Sequence, residues 1–345
     1  MIWAFWLAGI FFVLQLVLLM YLLLSKSMEL RFQHRLDSLY KEKLPEFTAY
    51  FSGASTTPPR LPTEKRLYQE LLQQVLSGVT SVTQDSTEQE QARVYAEEKL
   101  QPVYERKLQR GTWADRMNAL FYIEDFRMNA MAAQVEAHSK QLSQEEEEYH
   151  QALRTLAVLD SDRLIPMLTE LRQVNIPFVK EVYRRMSMEK LRDLSLQLEK
   201  QHPQHDLLRQ ALYVHAGEIS WTDLLPEVEA ALEEEDKEVR LKAMRALLSF
   251  QYVSSPEKVR AFFQSPHWEE RMYACKVASA LNQESWRQDL MRCLGDQVWW
   301  VRSAAAETIR SFSDGDIMLE YARTSHEDKF ARDMAEQLLS MEKEV

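Results

Sequence analysis

Few residues of this 345-residue chain have the types and spacing that metal chemistry requires. Of its eight histidines, only His326 is followed directly by a glutamate, Glu327. His202 and His205 lie close together, but a protein metal site needs three or four ligands and these two have no carboxylate pattern around them. The sequence therefore predicts no metal site and no cofactor.

Nucleophilic catalysis finds no support either. The sequence has no Gly-x-Ser-x-Gly turn, and its two cysteines, Cys275 and Cys293, have no matching histidine pattern. Both cysteines fall within stretches of helical pattern and lack metal-ligand spacing, so we expect reduced, buried thiols. The sequence predicts no catalytic residue and favours a protein that is not an enzyme.

An arginine that recurs at a nearly fixed interval is the clearest pattern in the chain. Arg240 follows Arg209 by 31 residues, Arg271 and Arg302 follow at the same interval, and Arg332 comes 30 residues later. A fixed period of this size is typical of stacked structural repeats.

Small and aliphatic residues accompany the arginine at helical spacing. In the stretch DQVWWVRSAAAETI, one helix face carries Val301, Ala304, Ala305 and Ile309. Side chains of this size let a second helix approach closely, which predicts helix-on-helix packing within and between repeats.

These residues resemble HEAT-type repeats of the short kind, in which each unit is an antiparallel pair of helices, A then B. The resemblance rests on two copies of one pattern: Asp236, Val239, Arg240, Ala243, Ala246 and Leu247, then Asp296, Val301, Arg302 and Ala305. It is clearest over residues 204–345. The resemblance implies an all-α fold, an α-solenoid of stacked helical hairpins that binds partners along a curved face, and no single function.

The resemblance also implies roles for the periodic residues. In such repeats the arginine pairs with acidic residues of its own or the next repeat, so Asp236 and Asp296 are expected to be structural. Trp113, Trp268 and Trp299 each stand three residues before a repeat arginine, and this shared phase predicts packing residues.

Trp300 is off that phase, at a position where these repeats tolerate polar residues. Its side chain is therefore expected to be exposed and to contact a protein partner, since exposed aromatic residues are common interface anchors. The alternative is packing on a neighbouring repeat.

The repeat is expected to begin well before its clear zone. The stretch WADRMNA at residues 113–119 is similar to WEERMYA at residues 268–274. Pro102, Pro166 and Pro226 each precede a basic residue by 14 positions, which suggests a proline kink at a fixed phase of the A helices. Arg116, Arg154 and Lys180 continue the series of basic residues toward the N-terminus, at uneven intervals.

Composition fits this fold and limits the partners. The chain has only 7 glycines and 11 prolines, and it is rich in helix-forming residues. Its net charge of −11 argues against nucleic acid as a partner, because phosphate binding needs a basic surface.

An apolar run from residue 2 to residue 24 is long enough, at about 35 Å, to span a bilayer. A cleaved signal peptide is the alternative, but no basic residue precedes the run and no Ala-x-Ala follows it. Five basic residues follow it closely: Lys26, Arg31, Arg35, Lys41 and Lys43. The positive-inside rule then predicts a single-pass membrane protein with the N-terminus outside and the solenoid in the cytoplasm.

We therefore divide the chain into a transmembrane helix (1–24), a juxtamembrane amphipathic helix (25–51), a Pro-containing linker (52–62) and the solenoid (63–345). The amphipathic helix could lie on the membrane, form a coiled coil or pack on the solenoid, and its mixed charges favour packing on protein.

The sequence predicts a membrane-tethered cytoplasmic scaffold, bacterial in type, that binds protein partners through its repeat surface. By analogy with similar membrane-tied repeat proteins, it would assist a membrane glycosyltransferase or a signalling complex. The alternative is an enzyme of the HEAT-like chromophore lyase or hydroxylase type.

Overall fold

The computed structural model of the chain describes residues 2–82, 85–173, 175–198 and 203–340. These ranges contain α-helices and short 3₁₀ turns, and no strand. The helices are α1 (Ile2–Phe51), α2 (Lys65–Val82), α3 (Ser86–Arg110), α4 (Trp113–Asp125), α5 (Ala132–Ser139), α6 (Glu147–Val158), α7 (Leu164–Thr169), α8 (Ile176–Tyr183), α9 (Met188–Gln197), α10 (Pro203–Glu218), α11 (Leu225–Ala230), α12 (Lys237–Phe250), α13 (Pro256–Arg260), α14 (Trp268–Ala280), α15 (Arg287–Cys293), α16 (Trp299–Arg310), α17 (Gly315–Ser325) and α18 (Lys329–Ser340). They form two compact units, Met1–Ser161 and Asp162–Val345.

Helix α1 runs without a break from the apolar segment into the amphipathic one. It is the one helix, within the described ranges, that is long and apolar enough to cross a membrane, by length and composition alone. A signal sequence meets the same criterion. Residues 9–24 are all exposed, and Trp3 and Trp6 are highly exposed.

The last third of α1 packs against α2 and α3. Leu36, Phe47 and Phe51 are buried there, and the Phe47 and Phe51 rings stand edge-on to Tyr95 at 5.7 and 5.8 Å between centroids. Burial raises the pKa of Tyr95 to about 12. In the structure this part of α1 packs on helices of its own unit.

Charged side chains extend this contact toward the apolar run. Arg66 of α2 reaches Glu29 of α1 at 3.0 Å, and its guanidinium lies 4.1 Å from the centroid of the Phe32 ring. Arg35 is 3.1 Å from Glu64, in the irregular segment that connects α1 and α2. Residues 29–51 are therefore attached to the first unit.

Two helical hairpins complete the first unit, α3 with α4 and α5 with α6. Asp85 caps α3 by accepting bonds from the Thr87 and Glu88 amides, and Thr112 forms a capping box with Asp115 at the start of α4. These caps satisfy amide groups that a helix start leaves without partners, and they explain where both helices begin.

The second unit consists of six hairpins in series. The A elements are short helices, several extended by 3₁₀ turns, and the longer B helices are α8, α10, α12, α14, α16 and α18. Successive B helices pack side by side. The faces by which they touch carry small, buried side chains, such as those of Ala243, Ala246, Ala304 and Ala305.

The proline positions differ from the sequence prediction. Pro102 lies inside α3, but Pro166 is the third residue of α7 and Pro226 the second residue of α11. The first turn of a helix has no intrahelical partner for a backbone N–H, so a proline there removes no bond and causes no kink. The shared phase marks helix starts at Pro166 and Pro226, and the predicted common kink was wrong.

Candidate functional site

The repeat arginine is the fourth residue of its B helix in α4, α12, α14, α16 and α18. In all five helices its Nη1 donates to a carbonyl of the loop between helices A and B. Arg271 donates to Ser265 O at 2.8 Å, and Arg302 donates to Asp296 O at 2.8 Å and Gln297 O at 3.1 Å. The arginine thus satisfies carbonyl groups that the end of helix A leaves without partners.

In Arg116, Arg240 and Arg271 the rest of the guanidinium binds a carboxylate from the following repeat. Arg271 binds both oxygens of Asp296 at 2.6 and 2.9 Å, and Arg240 Nε donates to Glu270 at 2.7 Å. The bonds to Asp296 raise the pKa of Arg271. Each such arginine therefore joins the two helices of its own hairpin to the next hairpin.

The first unit contains the same arrangement. Arg116 donates to Gly111 O at 3.0 Å and to both oxygens of Glu148, at 2.6 and 2.8 Å. Burial would raise the pKa of Glu148, but the hydrogen bonds from Arg116 and His138 outweigh it and leave the pKa below its usual value. The similarity of residues 113–119 to residues 268–274 thus corresponds to equivalent contacts.

Three basic residues of the series are placed differently. Arg154 is the eighth residue of α6 and pairs with Glu147 of its own helix at 2.9 Å. Lys180 pairs with Glu218 of the next B helix, and Arg209 pairs with Asp206 and with Glu234, the latter at 3.0 Å. Arg154 and Lys180 lie at other positions along their helices than the repeat arginines, which contributes to their uneven spacing in the sequence. Arg209 keeps the 31-residue interval to Arg240 although it is the seventh residue of α10.

The two aspartates that the sequence singled out, Asp236 and Asp296, each bind a backbone amide near the start of a B helix. Asp236 caps α12, where its side chain accepts a bond from the Glu238 amide at 2.8 Å. The Asp296 carboxylate accepts from the Val298 amide at 2.9 Å and binds Arg271 of the preceding repeat. Arg302 contacts the backbone carbonyl of Asp296 and not its carboxylate.

Arg302 departs from the pattern because an aromatic ring replaces the carboxylate of the next repeat. Its guanidinium lies 4.9 Å from the centroid of the Phe330 ring, an arrangement that allows a cation–π interaction. The buried Arg302 Nε has no hydrogen-bond partner among the described residues.

Exposed aromatic side chains occur at the start of both helices that make this contact, α16 and α18. Trp299 and Trp300, the first two residues of α16, are 43% and 58% exposed, and their rings meet edge to face at 4.8 Å. Phe330, the second residue of α18, is 54% exposed. We call Trp299, Trp300 and Phe330 the aromatic edge.

The sequence prediction separated Trp299, as a packing residue, from Trp300, as an exposed one. The structure leaves both exposed, and Trp113 is 57% exposed at the equivalent position of α4. Trp268, at the start of α14, is half-buried. Tryptophans at the first position of a B helix thus differ in exposure, so a shared phase does not ensure packing.

Phe330 was missed in the sequence. The signal was available, because Phe330 lies 30 residues after Trp300 and occupies the same position in the next B helix. A search for aromatic residues one repeat away from Trp300 would have found it.

No group of three or more His, Cys, Asp or Glu residues in the described ranges is placed to hold a metal ion. His205 belongs to the first turns of α10, and His202 lies outside the described residues. Cys275 and Cys293 are free and buried, and burial raises the pKa of the Cys275 thiol.

The stacked antiparallel hairpins, with alanine faces and periodic arginines, define a helical-repeat protein. A family model described as HEAT repeat matches residues 288–315, which include most of α15 and all of α16. The chain is thus an all-helical repeat protein whose residues 288–315 are similar to a HEAT repeat. HEAT repeats commonly mediate protein–protein interactions.

Other comparisons add little. Among curated proteins, none matches this chain. Among solved structures, an engineered protein determined by a structural genomics consortium is 16% identical, with 82% of this chain and 86% of that chain covered and a TM-score of 0.31.

Proposed function

We propose that this chain is a membrane-tethered cytoplasmic scaffold that binds a protein partner through the aromatic edge of its second unit. The observation that supports it most directly is the exposed, mutually contacting pair Trp299 and Trp300, together with the exposed Phe330 that Arg302 of the same α16 helix contacts. Large aromatic residues and arginine carry much of the binding energy in protein interfaces.

The tether in this proposal is α1. Its residues 1–24 span the membrane, residues 25–51 pack on the first unit, and the basic residues after the span favour a cytoplasmic location. The aromatic edge is then available to cytoplasmic proteins, such as parts of a glycosyltransferase or signalling complex.

A crosslinking experiment in intact membranes tests this function. Trp300→Ala should reduce recovery of the crosslinked partner roughly thirtyfold, since truncating an interface anchor costs about 2 kcal/mol or more. The melting temperature should stay close to that of the wild type, because Trp300 is mostly exposed.

Trp113→Ala is the matched control. Trp113 starts a B helix like Trp299 and is 57% exposed, nearly the same as Trp300, but it lies in the first unit. Equal loss of partner with both variants, or no loss with Trp300→Ala, would show that the aromatic edge is not the binding surface.

A further inference from the structure

A groove lies over α10, between α8 and α12, with a volume of about 470 Å³. Its floor includes Val214 of α10, which is buried, and its α8 wall begins at Ile176 and Pro177. All three helices belong to the second unit, and none of them contributes to the aromatic edge.

Four cationic side chains line the two walls. Lys180 and Arg184 come from the α8 side, and Lys242 and Arg245 come from α12. The whole chain has a net charge of −11, so this concentration of positive charge is against the overall trend.

The two walls differ in how their charges are compensated. Lys180 and Arg184 both bind Glu218, Arg184 at 3.0 Å, and these bonds outweigh the effect of burial and lower the pKa of Glu218. On α12, Lys242 is 3.6 Å from Glu238 of its own helix. Arg245 is exposed, and no hydrogen bond or ion pair of its guanidinium occurs among the described residues.

The lining indicates which anion would fit. Glu181 and Glu218 stand beside the α8 cations, so a continuous phosphate backbone would meet repulsion along that wall. Val214, Ile176 and Pro177 offer apolar surface between the charges. A segment that alternates carboxylates with aliphatic side chains complements both features, whereas a uniform polyanion complements only one.

We infer that this groove binds an acidic, partly apolar peptide segment of a partner protein, with Arg245 and Lys242 as the principal contacts for its carboxylates. The site is separate from the aromatic edge and does not depend on it. A partner that occupied both would be held at two points of the same unit.

Fluorescence anisotropy of the full chain in detergent micelles tests the inference. The probe is a fluorescein-labelled eight-residue peptide of alternating glutamate and leucine. We expect saturable binding that weakens with added salt, and a loss on the order of tenfold with Arg245→Glu. Lys242→Glu should weaken binding similarly and provides a second variant if Arg245→Glu fails to fold by circular dichroism.

Arg106→Glu is the matched control, since Arg106 is an exposed arginine within α3 of the first unit. It should bind the peptide as the wild type does. Equal weakening by Arg106→Glu, no weakening by either groove variant, or no saturation at about 1 mM peptide would overturn the inference.

Two further probes distinguish the class of ligand. A peptide of alternating lysine and leucine should not compete, because it keeps the apolar part and reverses the charge. The second probe is a single-stranded oligonucleotide with the same charge as the glutamate–leucine peptide. If it bound as tightly as that peptide and lost as much affinity with Arg245→Glu, the groove would bind polyanions in general, and the peptide assignment would be overturned.

Discussion

The repeat arginine performs two functions with one rigid side chain. Its planar guanidinium has donors in several fixed directions, so it can bind loop carbonyls of its own hairpin and a carboxylate of the next at the same time. Arg271 is the most complete case, with Ser265 O and both Asp296 oxygens as acceptors.

Arg271→Ala should therefore be costly. The change leaves the Ser265 carbonyl without its donor and the Asp296 carboxylate, whose side chain is only 10% exposed, without its cation. We expect a loss of about 2–3 kcal/mol in unfolding free energy, measured by urea denaturation. Arg271→Lys should recover little of it, because an ammonium group cannot reproduce the two-sided geometry.

Arg106→Ala again serves as the comparison, and a substitution at that exposed site should change stability by less than about 0.5 kcal/mol. A similarly small effect of Arg271→Ala would mean that water replaces the arginine at no cost.

The positions of the repeat arginines can be predicted from the sequence, but the carboxylates that pair with them cannot. Asp296 precedes Arg302 in the chain, yet its carboxylate binds Arg271 of the repeat before. The partner depends on how far the loop between helices A and B carries the acidic residue toward the neighbouring hairpin, and the period alone does not contain this information. Likewise, Trp299 has the phase of a packing residue, but its side chain is 43% exposed.

At the scale of helices, close approach of B helices depends on residues without bulky side chains. Gly217 of α10 faces α12, where an added Cβ would lie 3.0 Å from Ala246 Cα and 3.2 Å from Ser249 Cβ. Glycine in a helix interior lowers helix propensity, so its presence here is explained by the short distance between the two helices.

Gly217→Val should separate α10 from α12. Valine adds two methyl groups beyond the Cβ, which is itself already close to α12. This overpacking should lower the unfolding free energy by roughly 1–3 kcal/mol and the melting temperature by several degrees. Gly9→Val is the comparison, since an added Cβ at Gly9 meets no atom within 4 Å. If the two variants melt at the same temperature, the space between α10 and α12 is larger than the structure indicates.

The existence of these helices is predictable because alanine, leucine and the repeat period all favour them. The continuity of α1 is harder to predict, because the apolar run and the amphipathic segment have different surroundings and read as separate elements. No Gly or Pro stands between them, and Pro45 lies inside the same helix.

For the molecule as a whole, the proposal makes a prediction about topology. Ser52 is exposed just after α1, and both native cysteines are buried, so Ser52→Cys adds an accessible thiol on the proposed cytoplasmic side. A membrane-impermeant maleimide should label it only after lysis.

Trp3→Cys provides the opposite case, because Trp3 lies at the other end of the apolar run and is highly exposed. It should be labelled in intact cells. Labelling of Ser52→Cys from outside would reverse the proposed orientation and place the solenoid on the other side of the membrane.

The uninterrupted α1 has a mechanical consequence for such a tethered protein. The irregular segment comes after the helix has packed on the first unit, so no flexible joint separates the membrane from that unit. From Leu24 to the buried Leu36 the helix rises about 18 Å, at about 1.5 Å per residue. A rigid strut of this length keeps the first unit at a nearly constant height, and a partner attached to the same bilayer meets it within a thin layer at a raised effective concentration.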